Sequence, residues 1–392
     1  MNDQKQKNQD RRKFLKTGIT AAALASLMGP ASQSFALGSS GGNQPVHPLK
    51  ILILGGTSFL GPHQIAYAMN RGHSISTFTR GKTEPTVHKK LFKEVESLVG
   101  DRENDLQALR GRKWDAVIDN SGRRVKWTKD TAELLKDNVG LYLYTSSTGV
   151  YYPYLGSNIR EDSKLVMEVP EGLDEYRQME YSYGVMKTLS EIEARKAFGE
   201  DRTIVVRPTY MMGPADRTDR FTYWPVRMSI GGEVMIPGKA QDPVQYIDVR
   251  DVAGYMIRLI ENKVAGISNA VGPASATTMP QFVHGVHAAF STPVSYVPVT
   301  DYEFLEKQYN ILDMVPWIMP TGENAGSALV NNDRAVANGL TFTPLAQSVM
   351  DIYDWWQSDA VSEERRQKMV AGESSIMRKE KEILSAWAKK SK

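Results

Sequence analysis

Cysteine is absent from the chain, so disulfides, thiol nucleophiles and thiolate-ligated metals are excluded together. Histidine is nearly as scarce. Six are scattered over 392 residues, and only His284 and His287 fall within one helical turn of each other, with no carboxylate spacing to complete a site. No metal is expected. A basic excess is also missing from most of the chain. The formal charge is +3, but beyond the first 36 residues there are 42 Lys/Arg against 43 Asp/Glu. A surface that neutralises nucleic-acid phosphates needs more positive charge than that, so no nucleic-acid partner is expected. No apolar run is long enough to span a bilayer, and 41% hydrophobic with 24% charged residues is an ordinary globular composition. The length suits one large α/β body with an embedded second lobe.

What is present starts with the leader. Asp10-Arg11-Arg12-Lys13-Phe14-Leu15-Lys16 precedes a short Gly/Ala/Thr-rich apolar run from Thr17 to Met28, then Pro30 and the small-residue site Ser34-Phe35-Ala36. A charged head, a short apolar middle and a cleavable end make an export signal. The pattern resembles a bacterial twin-arginine signal peptide over 1–36. That resemblance implies export by the twin-arginine machinery, a periplasmic location and no stable membrane anchor. It also implies that a cofactor can be loaded in the cytoplasm. Leu37 to Pro48, rich in Gly, Ser and Pro, reads as a linker over 37–48.

From Lys50 short apolar runs alternate with amphipathic stretches. Strands are expected at Lys50 to Leu54, Ser74 to Phe78, Trp114 to Ile118, Gly140 to Thr145 and Thr203 to Val206. Helices are expected at Leu60 to Arg71, Asn104 to Arg110, Trp127 to Lys136 and Tyr181 to Phe198. This alternation predicts an α/β, doubly wound, Rossmann-like parallel sheet over 49–208. A smaller C-terminal substrate lobe is expected over 209–392, with 244–272 returning to the sheet domain. The charged tail from Ser362 to Lys392 reads as a solvated helical face.

The apolar strand at Ile51 to Leu54 runs into Gly55-Gly56-Thr57-Ser58-Phe59-Leu60-Gly61 at the start of a helix. A helix N-terminus offers unpaired N–H groups, and glycine lets a pyrophosphate approach the backbone. Gly55 suits the turn, and Gly61 suits close helix–strand packing. Thr57, Ser58, Phe59 and Leu60 lie between them as backbone contacts. At the end of the second strand, Thr79-Arg80-Gly81-Lys82 has no acid for a free ribose. Arg80 instead suits a 2′-phosphate, so NADP is preferred over NAD. Further on, Tyr183 is the only one of 17 tyrosines with a lysine, Lys187, four residues later. That spacing places both on one helix face, where an ammonium stabilises a phenolate.

These motifs, with Thr145-Ser146-Ser147-Thr148-Gly149-Val150-Tyr151 upstream, resemble the extended short-chain dehydrogenase/reductases of the NAD-dependent epimerase/dehydratase family. Ser58 stands where that family's fingerprint has its middle glycine. The resemblance implies a catalytic set of Ser147, Tyr183 and Lys187, with Tyr183 and Lys187 also touching a tightly held cofactor. It places Asp101 and Arg102 near the adenine, Asn120 and Ser121 near the nicotinamide ribose, and Pro208 and Thr209 along the cofactor pocket. It runs from about Lys50 to Val271. The family's dehydratases carry an Asp-Glu pair where this chain has Thr148-Gly149, leaving epimerisation or carbonyl/alcohol redox on a sugar-like small molecule. Arg217, Arg220, Tyr223, Trp224 and Arg227 form a candidate basic and aromatic substrate cluster. A non-catalytic nucleotide- or RNA-binding member is the alternative, and a homodimer is compatible with either.

Overall fold

The computed structural model describes residues 47–120, 122–373 and 375–390. The leader, most of the linker and Ser121 lie outside the described residues. Seven strands form one parallel sheet: β1 (Lys50–Leu54), β2 (Ser74–Thr79), β3 (Glu96–Val99), β4 (Trp114–Asp119), β5 (Val139–Thr145), β6 (Thr203–Pro208) and β8 (Gly266–Ala270). Their order is β8-β6-β5-β4-β1-β2-β3. The remaining long strands, β7 (Gly232–Pro237) and β9 (Val294–Val299), pair in parallel outside this sheet. Strand order reverses between β1 and β4, and a doubly wound sheet opens its ligand crevice at the carboxyl ends of such a pair.

The central strands β1, β4 and β5 are buried along most of their length because both of their faces are covered. Ile51, Ile53, Ala116 and Ile118 pack under helices α1 (Leu60–Asn70) and α5 (Val249–Glu261). Leu52, Leu54 and Val117 pack under α2 (Val125–Leu135) and α3 (Glu175–Phe198). β3 escapes the sequence reading for a physical reason. It is an edge strand with one buried side chain, Leu98, so neither alternation nor a continuous apolar run announces it. The helix expected at Asn104 to Arg110 is only a 3-10 turn at Gln107–Leu109.

A separate core holds the lobe. It joins α4 (Tyr223–Ile230), α6 (Met279–His287) and α8 (Leu345–Gln357) with β7 and the chain's end; between α6 and α8 lies the short α7 (Asp333–Ala337), followed by α9 (Glu363–Ala371) and α10 (Ile376–Lys390). The tail is a solvated face only in part: α9 has no buried residue, whereas α10 packs against the lobe. In α10, Met377, Glu380, Ile383 and Leu384 are buried, and Glu380 accepts from the Met235 N–H of β7 at 2.8 Å while pairing with Arg227.

Candidate functional site

The turn after β1 is built as close packing requires. Gly55 sits at φ 83, a left-handed conformation open to glycine without steric cost, and donates its N–H to Phe78 O of β2 at 3.1 Å. The Gly61 N–H bonds to Ser58 O at 3.1 Å. A Cβ on Gly61 would lie 2.4 Å from the Gly56 carbonyl oxygen, so α1 can start this near the strand only with glycine there. No side chain caps α1, and its first turn holds no acid. Its N–H groups therefore remain available to an anion, and these residues fit a dinucleotide's pyrophosphate.

The other expected residues fall along the same carboxyl edge. Arg80 is exposed just beyond β2. Asp101 follows β3, its carboxylate accepting the Glu103 N–H at 3.0 Å. Asn120 follows β4 and ties the edge together: its Oδ1 accepts the Thr145 hydroxyl of β5 at 2.7 Å, and its amide donates to Gln64 of α1 at 2.6 Å. Pro208 ends β6 and Thr209 follows it, both buried.

Arg102 requires a correction. Its guanidinium is buried against Asp119, with Nη2 donating to Oδ2 at 2.8 Å and to the Trp127 carbonyl at 2.8 Å. Burial alone would push the Asp119 carboxyl up, but Arg102, helped by the Tyr142 hydroxyl at 2.7 Å, holds it below the ordinary range. This arginine locks β4 to the loop after β3 instead of offering charge to a nucleotide. The basic and aromatic lobe cluster also dissolves. Trp224 is fully buried and donates to Val315 O at 2.7 Å, and Tyr223 is buried. Arg227 is held by Glu380, so only Arg217 and Arg220 face solvent.

Ser147, Tyr183 and Lys187 converge beyond β5. Ser147 caps the 3-10 turn Thr148–Tyr151, its Oγ accepting the Gly149 N–H at 3.1 Å. A Cβ built on Gly149 would lie 3.0 Å from two ring carbons of Tyr183 and 3.4 Å from Ser147 Oγ, so both side chains border one small volume. Gly184, whose part the sequence reading missed, makes this approach possible. A Cβ on it would be 2.5 Å from the Gly149 carbonyl oxygen. Lys187 is buried and donates to the Thr145 carbonyl at 2.8 Å. Burial opposes its charge, but Tyr144, Tyr183 and Asp119 outweigh burial and raise its pKa. Tyr183 is 41% exposed, so its ring is reachable.

Behind this edge lies a polar core. Arg207, fully buried, grips Glu191 of α3 through two hydrogen bonds of 2.9 and 2.6 Å and meets the Tyr151 hydroxyl at 2.7 Å. Breaking such a buried pair costs about 3–5 kcal/mol, so α3 is firmly anchored to β6. A recess of about 480 Å³ lies at the opposite, amino-terminal strand ends, lined by Lys50, Ser74, Glu96, Arg112 and Trp114. Among the described residues, none of the expected site residues lines it.

A doubly wound sheet with an uncapped glycine turn at its switch point and a Tyr-Gly-x-x-Lys helix beside β5 defines a Rossmann-class protein with its site at the carboxyl edge. Residues 51–271 match the model of the NAD dependent epimerase/dehydratase family, and the chain belongs to that family. Epimerase family protein SDR39U1 of Mus musculus is 25% identical over 265 residues, spanning 64% of this chain and 84% of that protein. The Bordetella bronchiseptica enzyme WbmH in complex with NAD+ aligns with a TM-score of 0.56 at 16% identity, over 80% of this chain and 100% of that one. Human SDR39U1 (isoform 2) with NADPH gives a TM-score of 0.52 at 20% identity, over 78% of this chain and 99% of that one. Identities this low establish a shared fold.

Proposed function

We propose that the chain is an NAD(P)-dependent enzyme that oxidises or epimerises a secondary hydroxyl of a sugar-like substrate, with NADP preferred. The convergence of Ser147 and Tyr183 around Gly149, with Lys187 one turn further along α3, carries this reading. When bound, a nicotinamide nucleotide supplies hydride acceptance at the carbinol carbon, and hydride return in an epimerisation. The protein does the rest. Because Ser147 Oγ already accepts the Gly149 N–H, its own O–H is left to donate to the reacting oxygen. Tyr183 takes and returns the hydroxyl proton, and the Lys187 ammonium holds the ribose. Gly55, Thr57, Ser58, Phe59, Leu60 and Gly61 receive the pyrophosphate, and Arg80, exposed and free of acidic neighbours in sequence, pairs with a 2′-phosphate.

Unfolding the purified protein and weighing the released nucleotide should yield NADP(H). Tyr183→Phe should keep that nucleotide and lower turnover at least about 100-fold; unchanged turnover would remove Tyr183 from the chemistry.

The leader supports a further reading: export of the folded, loaded protein by the twin-arginine route to the periplasm. An epimerisation that returns its own hydride suits that compartment, because it needs no partner to regenerate the nucleotide. Replacing Arg11 and Arg12 with lysine should leave the protein in the cytoplasm, and normal export of that variant would refute the route.

A further inference from the structure

Successive side chains of β5 alternate between the two faces of the sheet, so Tyr142 and Tyr144 share the face that α3 covers. Both lie in the core that holds Ala194 and Phe198 of that helix. Their partners on α3 differ. Tyr142 forms an apolar pair with Phe198, the ring centroids 4.9 Å apart, and its hydroxyl donates to Asp119 at 2.7 Å. Tyr144 meets a charge instead: Lys187 Nζ lies over its ring, 5.0 Å from the centroid, and 6.0 Å from the centroid of Tyr183. One buried ammonium thus sits between two tyrosines, of which Tyr144 is fully enclosed and Tyr183 is exposed.

The enclosed tyrosine is fitted to that charge. Lys187 donates to a neutral acceptor, the Thr145 carbonyl at 2.8 Å, and a buried charge held by a neutral acceptor alone is costly. An aromatic ring attracts a cation through its negative face, most strongly where water is excluded. The loop after β4 makes room for the phenol. The Tyr144 hydroxyl donates to the Gly122 carbonyl at 3.4 Å, and a Cβ on Gly122 would lie 2.8 Å from Tyr144 Cε2 and 3.2 Å from the hydroxyl oxygen. As donor to Gly122, the hydroxyl keeps its lone pairs for the ammonium. Burial opposes the charge of Lys187, and Tyr144, ahead of Tyr183 and Asp119, outweighs it. Tyr144 keeps its own proton: burial pushes its hydroxyl up, Asp119 and Tyr183 add to that, and Lys187 and Ser190 oppose it. Asp119, the acid facing the pair from β4, is itself held by Arg102 and Tyr142.

We infer that Tyr144 is a positioning residue: its ring and hydroxyl seat the Lys187 ammonium beside Tyr183 with one N–H left for the nicotinamide ribose. The inference rests on the redox site proposed above and adds to it a residue that touches neither substrate nor nucleotide. The three donors of the ammonium are then shared among the Thr145 carbonyl, the Tyr144 oxygen and the ribose.

The test follows Lys187 directly. The protein with its bound nucleotide is labelled with carbon-13 at the lysine Cε, and Lys187 is assigned as the signal absent from Lys187→Arg. Its methylene protons should be shifted upfield by the neighbouring rings, and it should remain charged beyond about pH 10.4, the ordinary lysine value. Tyr144→Phe keeps the ring and removes the oxygen. The upfield shift should therefore remain, while the titration midpoint falls by at least about one pH unit, tenfold in the equilibrium. Tyr144→Leu removes both, so the upfield shift should shrink as well. Each variant should release NADPH at least about fivefold faster when chased with excess NADP. Tyr142→Phe, on the same face of β5 but against Phe198, should move neither reading, whatever it costs in stability. A Lys187 midpoint that stays put in Tyr144→Phe, or falls equally in Tyr142→Phe, would overturn the inference, as would NADPH release unchanged in both Tyr144 variants. Protein that binds no NADPH at all would sink the redox reading instead, and the Lys187 midpoints would still decide whether Tyr144 seats the ammonium.

Discussion

His63, in the first turn of α1, is buried and shares hydrogen bonds with Pro214 O at 3.0 Å and His88 at 3.3 Å. Burial, with His88 adding to it, lowers its pKa from 6.5 to about 4, against the opposing Pro214 carbonyl and Asp248. The unfolded chain takes up a proton below pH 6.5 that the folded chain refuses until about 4, so this group's contribution to stability falls as pH drops across that window. Asp251 has the opposite sign. Burial raises its carboxyl from 3.8 to about 6, although Thr343 donates to it twice. The folded chain then keeps a proton that the unfolded chain releases, so stability falls as pH rises from about 4 to about 6. A shift of about two pH units corresponds to roughly 3 kcal/mol at most. His63→Gln should therefore gain stability relative to the parent as pH falls from 6.5 to 4, and Asp251→Asn should gain as pH rises from 4 to 6. Urea midpoints across this range check both, and parallel curves for parent and variant would remove the group concerned from the linkage.

At the level of elements, α3 is positioned by one missing methyl group. Gly184 faces the Gly149 carbonyl oxygen and Val166 Cγ1, which a Cβ would meet at 2.5 and 2.7 Å. In an isolated helix Gly→Ala would stabilise by about 1 kcal/mol; here the clash is with backbone, and overpacking costs about 1–3 kcal/mol. Gly184→Ala should thus destabilise the protein and reduce kcat more than tenfold by displacing Tyr183 from Ser147, with nucleotide retained because the turn after β1 is untouched. Thermal melting and turnover measured together test this, and a stabilised, fully active variant would show that α3 does not need this approach. The sequence made β1, its glycine turn and the Tyr183–Lys187 pair legible because each is a local pattern with one physical meaning. It could not distinguish exposed Arg80 from Arg102, since a guanidinium's partner is fixed by tertiary packing; Asp119 lies 17 residues from Arg102. Gly184 was readable as a glycine inside a helix, but the Gly149 carbonyl it must approach lies 35 residues away in the sequence.

At the scale of the whole molecule, the chain leaves the sheet after β6, returns for α5 and β8, and then completes the lobe with its last helices. The lobe core therefore depends on residues more than 140 positions apart. Glu380, 2% exposed, joins three of its elements: it pairs with Arg227 of α4, accepts from Met235 N of β7 at 2.8 Å, and carries α10 with it. Arg227 also donates to the Gly231 carbonyl at 2.8 Å, so losing the carboxylate leaves its charge buried with only neutral acceptors. Uncompensated buried charge costs about 3–5 kcal/mol. Glu380→Gln keeps the shape and removes the charge, so the cost should fall on the lobe: hydrogen exchange should quicken in α4, β7 and α10 while β1, β4 and β5 keep their protection. Nucleotide should then stay bound on the sheet, because β1 and α1, which flank the glycine turn, pack in the sheet's own cores. Uniformly faster exchange in sheet and lobe would mean that the two cores open as one unit, and that the cofactor is held only as firmly as the lobe is closed.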